Sequence, residues 1–169
     1  MSQSEIKTAP ATAVNEDLRY LVVSLGKEQY GIPLLQVKEV IARTDTTPMP
    51  HVPSYFKGIM NLRGQVISVI DLRQKFGVTA KENSRQTAYV ILDLSPLSFG
   101  IVVDAVDTVV ALSREEISPT PDVESSARSN FLEGIARKDK KLILLLNIER
   151  SLSVEDIRSL KRSVEQKAS

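Results

Sequence analysis

The chain has 169 residues, 42% of them apolar, which suffices for one packed domain or two small lobes. Its 22 basic and 21 acidic residues give a net charge of +1, whereas nucleic-acid binders usually concentrate a basic excess for phosphate contacts. Cysteine is absent, which excludes disulfides and thiolate metal sites.

The first sixteen residues are polar, with scattered Ala, Thr and Pro, and predict a flexible N-terminal tail. They lack the apolar stretch of a secretion signal. The longest apolar runs, such as Leu142–Leu146, are too short to cross a bilayer. We therefore expect a cytoplasmic protein without direct membrane insertion.

Strands are predicted along most of the chain that follows. Tyr20–Leu25 is rich in β-forming residues and ends at a Gly-Lys turn signal; Val66–Leu72 and Leu142–Ile148 have the same character. Residues 153–169 predict a C-terminal helix and tail. Apolar residues spaced three or four apart from Val154 to Val164 indicate an amphipathic helix, with Ser153 as its N-cap.

An internal repeat is the strongest structural signal in the sequence. Tyr20–Leu25 matches Tyr89–Leu94 at an offset of 69 residues, and the same offset carries Tyr30-Gly31-Ile32 onto Phe99-Gly100-Ile101. Further along, an offset of 76 places Gly58 on Gly134 and Val66–Ile70 on Leu142–Leu146. The seven extra residues fall in 113–129, a Pro- and Ser-containing stretch that reads as a lengthened loop.

Both copies keep the same alternation of side chains. Leu21, Val23 and Leu25 share one side of the first strand, and the matching Val90, Leu92 and Leu94 do so in the second copy. We expect a mainly β fold of two small five-stranded β-barrels with short helical turns. The first barrel spans about 17–87 and the second about 88–152, and exchange of strands between them stays open.

No pattern anchors an enzyme or a cofactor site. His51 is the only histidine and lies in a proline-rich loop, and no serine is identified as its partner. No metal-ligand spacing and no Gly-rich phosphate loop occur. Asp104 and Asp107 resemble a carboxylate pair, but we interpret them as a solvated turn and strand edge. Asp71 and its repeat partner Asn147 suggest caps of the turns that follow them.

Polar positions that differ between the copies need a reason other than the fold. Asn61-Leu62-Arg63-Gly64 corresponds to Arg137-Lys138-Asp139-Lys140, so the fold tolerates a charged hairpin there. Gly64 suits a tight turn with positive φ. Arg63 is either a solvated turn residue or an arginine at the rim of an apolar contact patch.

The segment from Leu35 to Ile41 gives a second difference. Glu39 corresponds to Thr108, so the fold does not require an acid there. On an extended backbone Val37, Glu39 and Ile41 share a face. Glu39 is either a solvated edge charge or a partner of another side chain, including Arg63 across a groove between the lobes.

These segments resemble the CheW family of chemotaxis coupling proteins. Tyr30–Val40, Phe56–Gly64 and Ile70–Arg73 are similar to its first half, and Phe99–Asp104 and Leu144–Glu149 to its second. The run Lys57-Gly58-x-x-Asn61-Leu62-Arg63-Gly64 is the most specific part. The resemblance covers about residues 17–152 and implies two SH3-like subdomains, no catalysis and no cofactor.

The resemblance also implies partners and a site. Family members bind the helical tips of membrane chemoreceptors in a groove between the subdomains, bind the regulatory domain of the histidine kinase CheA, and form rings in receptor arrays with CheA or further CheW copies. The kinase-binding residues stay unknown. Receptor contacts in the family match Val37, Glu39, Gly58, Arg63, Ala88 and Val109, although Ala88 is smaller than the branched residue often found there.

Three alternatives remain beside this interpretation. One is a CheW-like adaptor for another pathway, such as pilus motility or second-messenger control. The second is a small β-barrel that binds single-stranded nucleic acid, which the 5% aromatic content and the absence of Trp disfavour. The third, a carboxylate-dependent hydrolase, lacks a positioned acid–base pair. No room remains for the receiver domain of a CheV protein.

Overall fold

The computed structural model describes residues 18–79, 84–120 and 130–168, with side chains described as far as residue 162. The predicted N-terminal tail lies outside the described residues, as does part of the predicted long loop. The strands of the described residues are β1 (Arg19–Leu25), β2 (Glu28–Pro33), β3 (Val37–Ala42), β4 (Phe56–Leu62), β5 (Gln65–Asp71), β6 (Ala88–Leu94), β7 (Leu97–Val103), β8 (Ala105–Ala111), β9 (Ile117–Ser118), β10 (Leu132–Lys138) and β11 (Lys141–Leu146). The helices are α1 (Leu72–Lys75), α2 (Ile148–Ser151) and α3 (Val154–Ala168), with 3-10 turns at Leu34–Gln36 and Arg114–Glu116.

The strands form two sheets, and each sheet takes strands from both copies of the repeat. The first sheet has the order β8-β1-β2-β11-β10-β9 and the second β3-β6-β7-β5-β4. The hairpin β1–β2 thus joins strands of the second copy, and the hairpin β6–β7 joins strands of the first. Two parallel pairs, β2 with β11 and β5 with β7, hold the exchanged hairpins in place.

The strand registers repeat as closely as the sequence does. Gly31 lies opposite Leu145 in one parallel pair, and Gly100 lies opposite Val69 in the other. The register shifts also correspond, since one falls between Phe56 and Gly58 and its counterpart between Leu132 and Gly134. The two subdomains therefore have corresponding registers, and each contains one hairpin from the other copy of the repeat.

Alternating side chains divide the apolar interior into three parts. Tyr20 and Val22 pack inside the first sheet with residues of β10 and β11. Tyr89 and Ile91, their counterparts, pack inside the second sheet. The opposite faces of both sheets meet in a larger core, where Leu21 and its neighbours contact residues of β6 and β7. The predicted alternation of β1 and β6 is confirmed.

Each sheet curls until its edges approach, although the described strands do not form a closed barrel. After β3 the chain reaches the other edge of its sheet, where Thr47 and Ile59 exchange two backbone hydrogen bonds of 2.7 and 2.8 Å. In the first sheet the chain passes from β8 through a 3-10 turn into β9, which pairs with β10. The prediction of a mainly β protein with two such subdomains is confirmed, but one sheet has six strands rather than five.

Three predicted caps are confirmed. The carboxylate of Asp71 accepts a hydrogen bond from the backbone N–H of Arg73 at the start of α1. The amide oxygen of Asn147 accepts one from Arg150 in the same position before α2. Ser153 and Asp156 form a reciprocal capping box at the start of α3, with both bonds at 3.0–3.1 Å.

Helix α3 packs on β5 and β7 through Ile157 and Leu160, which join the core between the sheets. Asp156 is fully buried and pairs with the ammonium of Lys75, while the hydroxyl of Tyr55 donates to the same carboxylate. Burial by itself raises the pKa of Asp156, but the bonds from Lys75 and Tyr55 outweigh it and lower the pKa below its ordinary value. The ion pair therefore joins α3 to α1, at the end of β5.

We expect Asp156→Asn to lower the free energy of unfolding at pH 7 by about 3 kcal/mol, because Lys75 loses its buried partner. A carboxylate with a depressed folded pKa stabilises the protein fully above its unfolded pKa of about 3.9, and this contribution disappears as the pH falls through the folded value. Urea unfolding followed by circular dichroism at pH 7 and below pH 4 measures the difference. The gap between wild type and variant should shrink in acid.

The exposed neighbour Glu155 supplies the control. Glu155→Gln should alter stability by less than about 0.5 kcal/mol at either pH. A gap between wild type and Asp156→Asn that stays constant down to pH 3 would contradict the assignment of the ion pair.

Candidate functional site

The six residues that the resemblance assigns to a receptor site lie on two sheets. Five belong to the second sheet and its β4–β5 turn, and the sixth belongs to β8 of the first sheet. In chain order they are Val37 and Glu39 on β3, Gly58 on β4, Arg63 in the turn, Ala88 on β6 and Val109 on β8. Among the hydrogen bonds and ion pairs of the described residues, one joins two of the six, Glu39 and Arg63.

A β-bulge separates Val37 from Glu39. Val37 lies opposite Leu92, but Glu39 lies opposite Ile91, and consecutive partners on β6 point to opposite faces. Val37 therefore packs against the core between the sheets, while Ile41 packs inside the second sheet. The prediction that Val37, Glu39 and Ile41 share a face is wrong for Val37, because the extra residue Lys38 reverses the alternation.

Glu39 and Arg63 form an ion pair, with the guanidinium donating to the carboxylate. They belong to β3 and to the β4–β5 turn, which are the two edges of the same sheet. The pair therefore spans the opening of one curled sheet. The alternative in which Glu39 pairs with Arg63 is confirmed, but the expected position of the pair, across a groove between the two lobes, is wrong. The Arg63 side chain keeps 71% of its surface exposed despite this contact.

The turn that presents Arg63 follows from hairpin geometry. Arg63 and Gly64 have φ values of 52° and 85°, and Asp139 and Lys140 in the second copy have 50° and 66°. Two consecutive left-handed residues characterise the two-residue turn that matches the twist of a hairpin. The amide of Asn61 strengthens the first turn by accepting from the Gly64 N–H at 2.7 Å. The left-handed backbone of Arg63 thus belongs to the fold, while its side chain differs between the copies.

A groove of about 560 Å³ runs between edge strands β3 and β8, where the two sheets meet. Of the six predicted site residues, only Ala88 lines it. Apolar and acidic side chains share its walls. The lining comprises Ser24, Val40, Ser84, Gln86, Ala88, Asp104, Ala105, Val106 and Asp107.

The exposed acid in this groove is Asp107, which occupies the bulge of β8 that corresponds to Lys38. Its carboxylate accepts hydrogen bonds from Ser24 at 2.6 Å and Gln29 at 3.0 Å. The groove between the subdomains therefore has an acidic wall with fixed geometry.

Beneath the groove, a buried ion cluster joins the two sheets. Arg73 binds Asp71 through Nε and Nη2, at 2.9 and 2.8 Å, and binds Asp104 through Nη1 at 2.7 Å. The other oxygen of Asp104 accepts from the backbone N–H of Gly26 in the β1–β2 turn. All three charged side chains are at most 7% exposed.

The cluster buries Asp104 and keeps both Asp71 and Arg73 charged. Asp104 is buried and bonded, so the interpretation of that residue as solvated is wrong, although it holds for Asp107. Burial raises the pKa of Asp71, but hydrogen bonds and charge from Arg73 outweigh burial and lower it overall. Hydrogen bonding to Asp71 raises the pKa of Arg73. Both carboxylates of the cluster accept hydrogen bonds from fixed donors, so the cluster has a structural role.

Gly58 and Ala88 are buried. Gly58 has a φ of 134°, and a Cβ placed there would collide with the carbonyl of Thr47, which bonds to the neighbouring Ile59. Val109, in contrast, is 50% exposed. Sequence reasoning identified Gly58 through its family motif, but the close approach of the 43–47 segment has no signal in the local pattern.

Among the described residues, no helix has the length and apolar character needed to span a membrane.

We expect Arg73→Met to lower the free energy of unfolding by about 3–5 kcal/mol, since two carboxylates would stay buried without their cation. Lys57 provides a matched control, because its ammonium lies 3.6 Å from the same Asp71 carboxylate but the side chain is 39% exposed. Lys57→Met should cost less than about 1 kcal/mol. Urea unfolding at pH 7 compares them, and equal losses would show that the buried cluster contributes no more than a surface pair.

A second test concerns the combined effect of backbone conformation and the close approach of Thr47 at Gly58. Gly58→Ala should destabilise by about 2–4 kcal/mol through strain and overpacking. Gly77 also has a positive φ, 70°, but open space around it, so Gly77→Ala should cost only about 1 kcal/mol. Thermal or urea denaturation gives both values. The close approach to Thr47 is refuted by a Gly58→Ala loss no larger than that of Gly77→Ala.

Comparison with known proteins identifies the family. The CheW-like domain matches residues 19–156. The chain is 33% identical over 138 residues to the chemotaxis protein CheW of Klebsiella aerogenes, covering 82% of this chain and 83% of the relative. It is 30% identical over 150 residues to CheW of Helicobacter pylori, covering 86% and 90%.

A solved structure and a second kind of relative extend this comparison. The crystal structure of the scaffolding protein TtCheW from Thermoanaerobacter tengcongensis superposes with a TM-score of 0.75 at 33% identity, covering 83% of this chain and 90% of that one. Protein FrzA of Myxococcus xanthus is 25% identical over 156 residues, covering 91% and 97%. The resemblance and the two-subdomain fold are both confirmed, and the chain belongs to the CheW-like family of chemotaxis scaffold proteins.

Proposed function

We propose that this protein is a non-catalytic cytoplasmic adaptor that couples the helical tips of chemoreceptors to the histidine kinase CheA. Membership of the CheW-like family over residues 19–156 carries the proposal. The groove between the two subdomains supports it, because an amphipathic helix binds by laying its apolar face in such a groove.

Receptor recognition rests first on Arg63, Glu39 and Val109. Arg63 is held at the edge of the second sheet by Glu39, and most of its side-chain surface stays exposed. Such an arginine donates several fixed hydrogen bonds, so it sets the register of a bound helix. Val109 offers an exposed apolar contact on β8, and Val37 supports the bulged strand that carries Glu39.

Gly58 and Ala88 act indirectly in this proposal. Gly58 lets the segment before β4 approach the strand, which keeps the β4–β5 hairpin in place beneath Arg63. Ala88 forms part of the groove wall beside Val40. Both residues are buried, so we expect them to shape the receptor site more than to touch the receptor.

Signal transfer needs no chemistry in this chain. A rigid body that contacts receptor and kinase together lets the receptor state bias the conformational equilibrium of the kinase. The ion cluster between the sheets supports that rigidity, since it ties the β1–β2 turn to α1. The kinase is expected at a barrel end, with recruitment into membrane-associated receptor arrays and ring contacts with CheA or further CheW copies.

A second candidate is an adaptor for a different kinase pathway. The similarity to FrzA, which extends over 91% of this chain, favours it. The same groove and the same ion pair would serve both functions, so only the identity of the bound receptor separates them.

We expect Arg63→Ala and Glu39→Ala to weaken binding of a receptor cytoplasmic fragment by about three- to tenfold, because the edge of the second sheet loses an oriented charged contact. Folding should be unchanged, since the pair lies at the surface. Pull-down with the receptor fragment and CheA, followed by titration, measures the effect. Lys140→Ala is the matched control, because Lys140 is an exposed turn residue in the second copy with a φ of 66°.

A conservative variant tests whether the shape of the arginine side chain matters in addition to its charge. Arg63→Lys keeps the charge but loses the planar fork, so it should restore receptor binding only in part. Unchanged receptor capture by both alanine variants would refute the site assignment. Retained receptor capture with lost CheA capture would place these residues on the kinase side instead.

A further inference from the structure

A second groove, of about 570 Å³, lies on the parallel pair β2–β11 of the first sheet. Leu142 and Leu144 form its apolar part, and Leu142 is 53% exposed. Lys27 and Lys141 stand at its rim, with Glu28 and Gln29 completing the lining. None of the predicted receptor-site residues lines this groove.

The internal repeat shows what covers the equivalent surface of the other subdomain. The pair Leu144–Tyr30 in β11 and β2 corresponds to the pair Ser68–Phe99 in β5 and β7. Helix α3 packs on β5 and β7, and Ser68 is only 2% exposed. Ser68 is thus buried on the sheet that α3 covers. Its counterpart Leu144 is only half-buried, on a sheet where no described helix packs.

Among the described residues between α1 and β6, no equivalent helix occurs. Whereas α2 leads into α3, α1 leads into Phe76–Thr79, where Val78 approaches Gly26 in the β1–β2 turn. Residues 80–86 read Ala-Lys-Glu-Asn-Ser-Arg-Gln and contain no large apolar side chain. This segment therefore lacks the residues needed to cover Leu142 and Leu144.

The charges around the groove indicate the kind of partner. Lys27, Lys140 and Lys141 are exposed, and the ion pairs found among the described residues involve none of them. With three lysines against one acid, Glu28, this face has a net positive charge, so two copies of it would repel each other. Acidic side chains on a helix would instead face unpaired ammonium groups.

We propose that the groove on β2–β11 binds an amphipathic helix of a partner protein, with apolar residues on Leu142 and Leu144 and acidic flanks toward Lys27 and Lys141. The binding mode copies the way in which α3 covers β5–β7. In α3 the buried Asp156 meets Lys75 and Tyr55, whereas the second copy has Ser151 and Phe131 at those positions. The partner helix therefore differs from α3 and relies on the lysines of the rim.

Methyl NMR of the full chain tests this proposal with three synthetic peptides of about 18 residues. All place leucines at helical i, i+3, i+4 and i+7 spacing; one has glutamate flanks, one lysine flanks, and one is a scrambled acidic sequence. The acidic amphipathic peptide should shift the methyl resonances of Leu142 and Leu144. Its affinity should fall about tenfold in Leu142→Asp and severalfold in the double variant Lys27→Glu, Lys141→Glu.

Val154→Asp provides the matched control, because Val154 is 73% exposed and lies outside this groove. It should leave the affinity unchanged, as should Arg63→Ala, which separates this groove from the proposed receptor site. The proposal is overturned if no peptide shifts the Leu142 and Leu144 methyls, if all three peptides bind equally, or if Leu142→Asp acts by abolishing concentration-dependent self-association.

Discussion

The pairing of parallel strands, β2 with β11 and β5 with β7, is the interaction on which the remaining structure depends. It binds each exchanged hairpin to strands of the other copy, so neither subdomain is built from one half of the chain alone. Apolar faces of both sheets then meet in a shared core. Because the backbone pairing and this core both cross between the copies, we expect the subdomains to move as one body.

The ion cluster of Asp71, Arg73 and Asp104 adds a directional constraint to that apolar contact. Hydrophobic burial resists separation of the sheets but is weakly directional, whereas Arg73 fixes two carboxylates in defined positions. One of them anchors the β1–β2 turn through the Gly26 N–H. A scaffold whose proposed role is to transmit a partner's orientation benefits from such a constraint, because a sliding interface would lose the signal.

The two copies share a backbone design and differ in what they present on it. The β4–β5 and β10–β11 turns have the same left-handed pair of residues, but one presents Arg63 with its partner Glu39 and the other a basic hairpin. The faces of the two parallel pairs differ likewise, one covered by α3 and the other offering Leu142. Duplication followed by such differences gives one small chain several distinct surfaces.

The sequence by itself determined the strand-rich class, the duplication, the alternation of β1 and β6 and the caps at Asp71, Asn147 and Ser153, because these features depend on local periodicity and neighbouring backbone groups. The family motif also located the candidate site residues. Only the tertiary structure decided that hairpins are exchanged, that Lys38 forms a bulge which turns Val37 away from Glu39, and that Asp104 is buried against Arg73. Those outcomes depend on contacts between residues far apart in the chain, such as Arg73 and Asp104, and no local pattern encodes which distant partner a strand or a charge will meet.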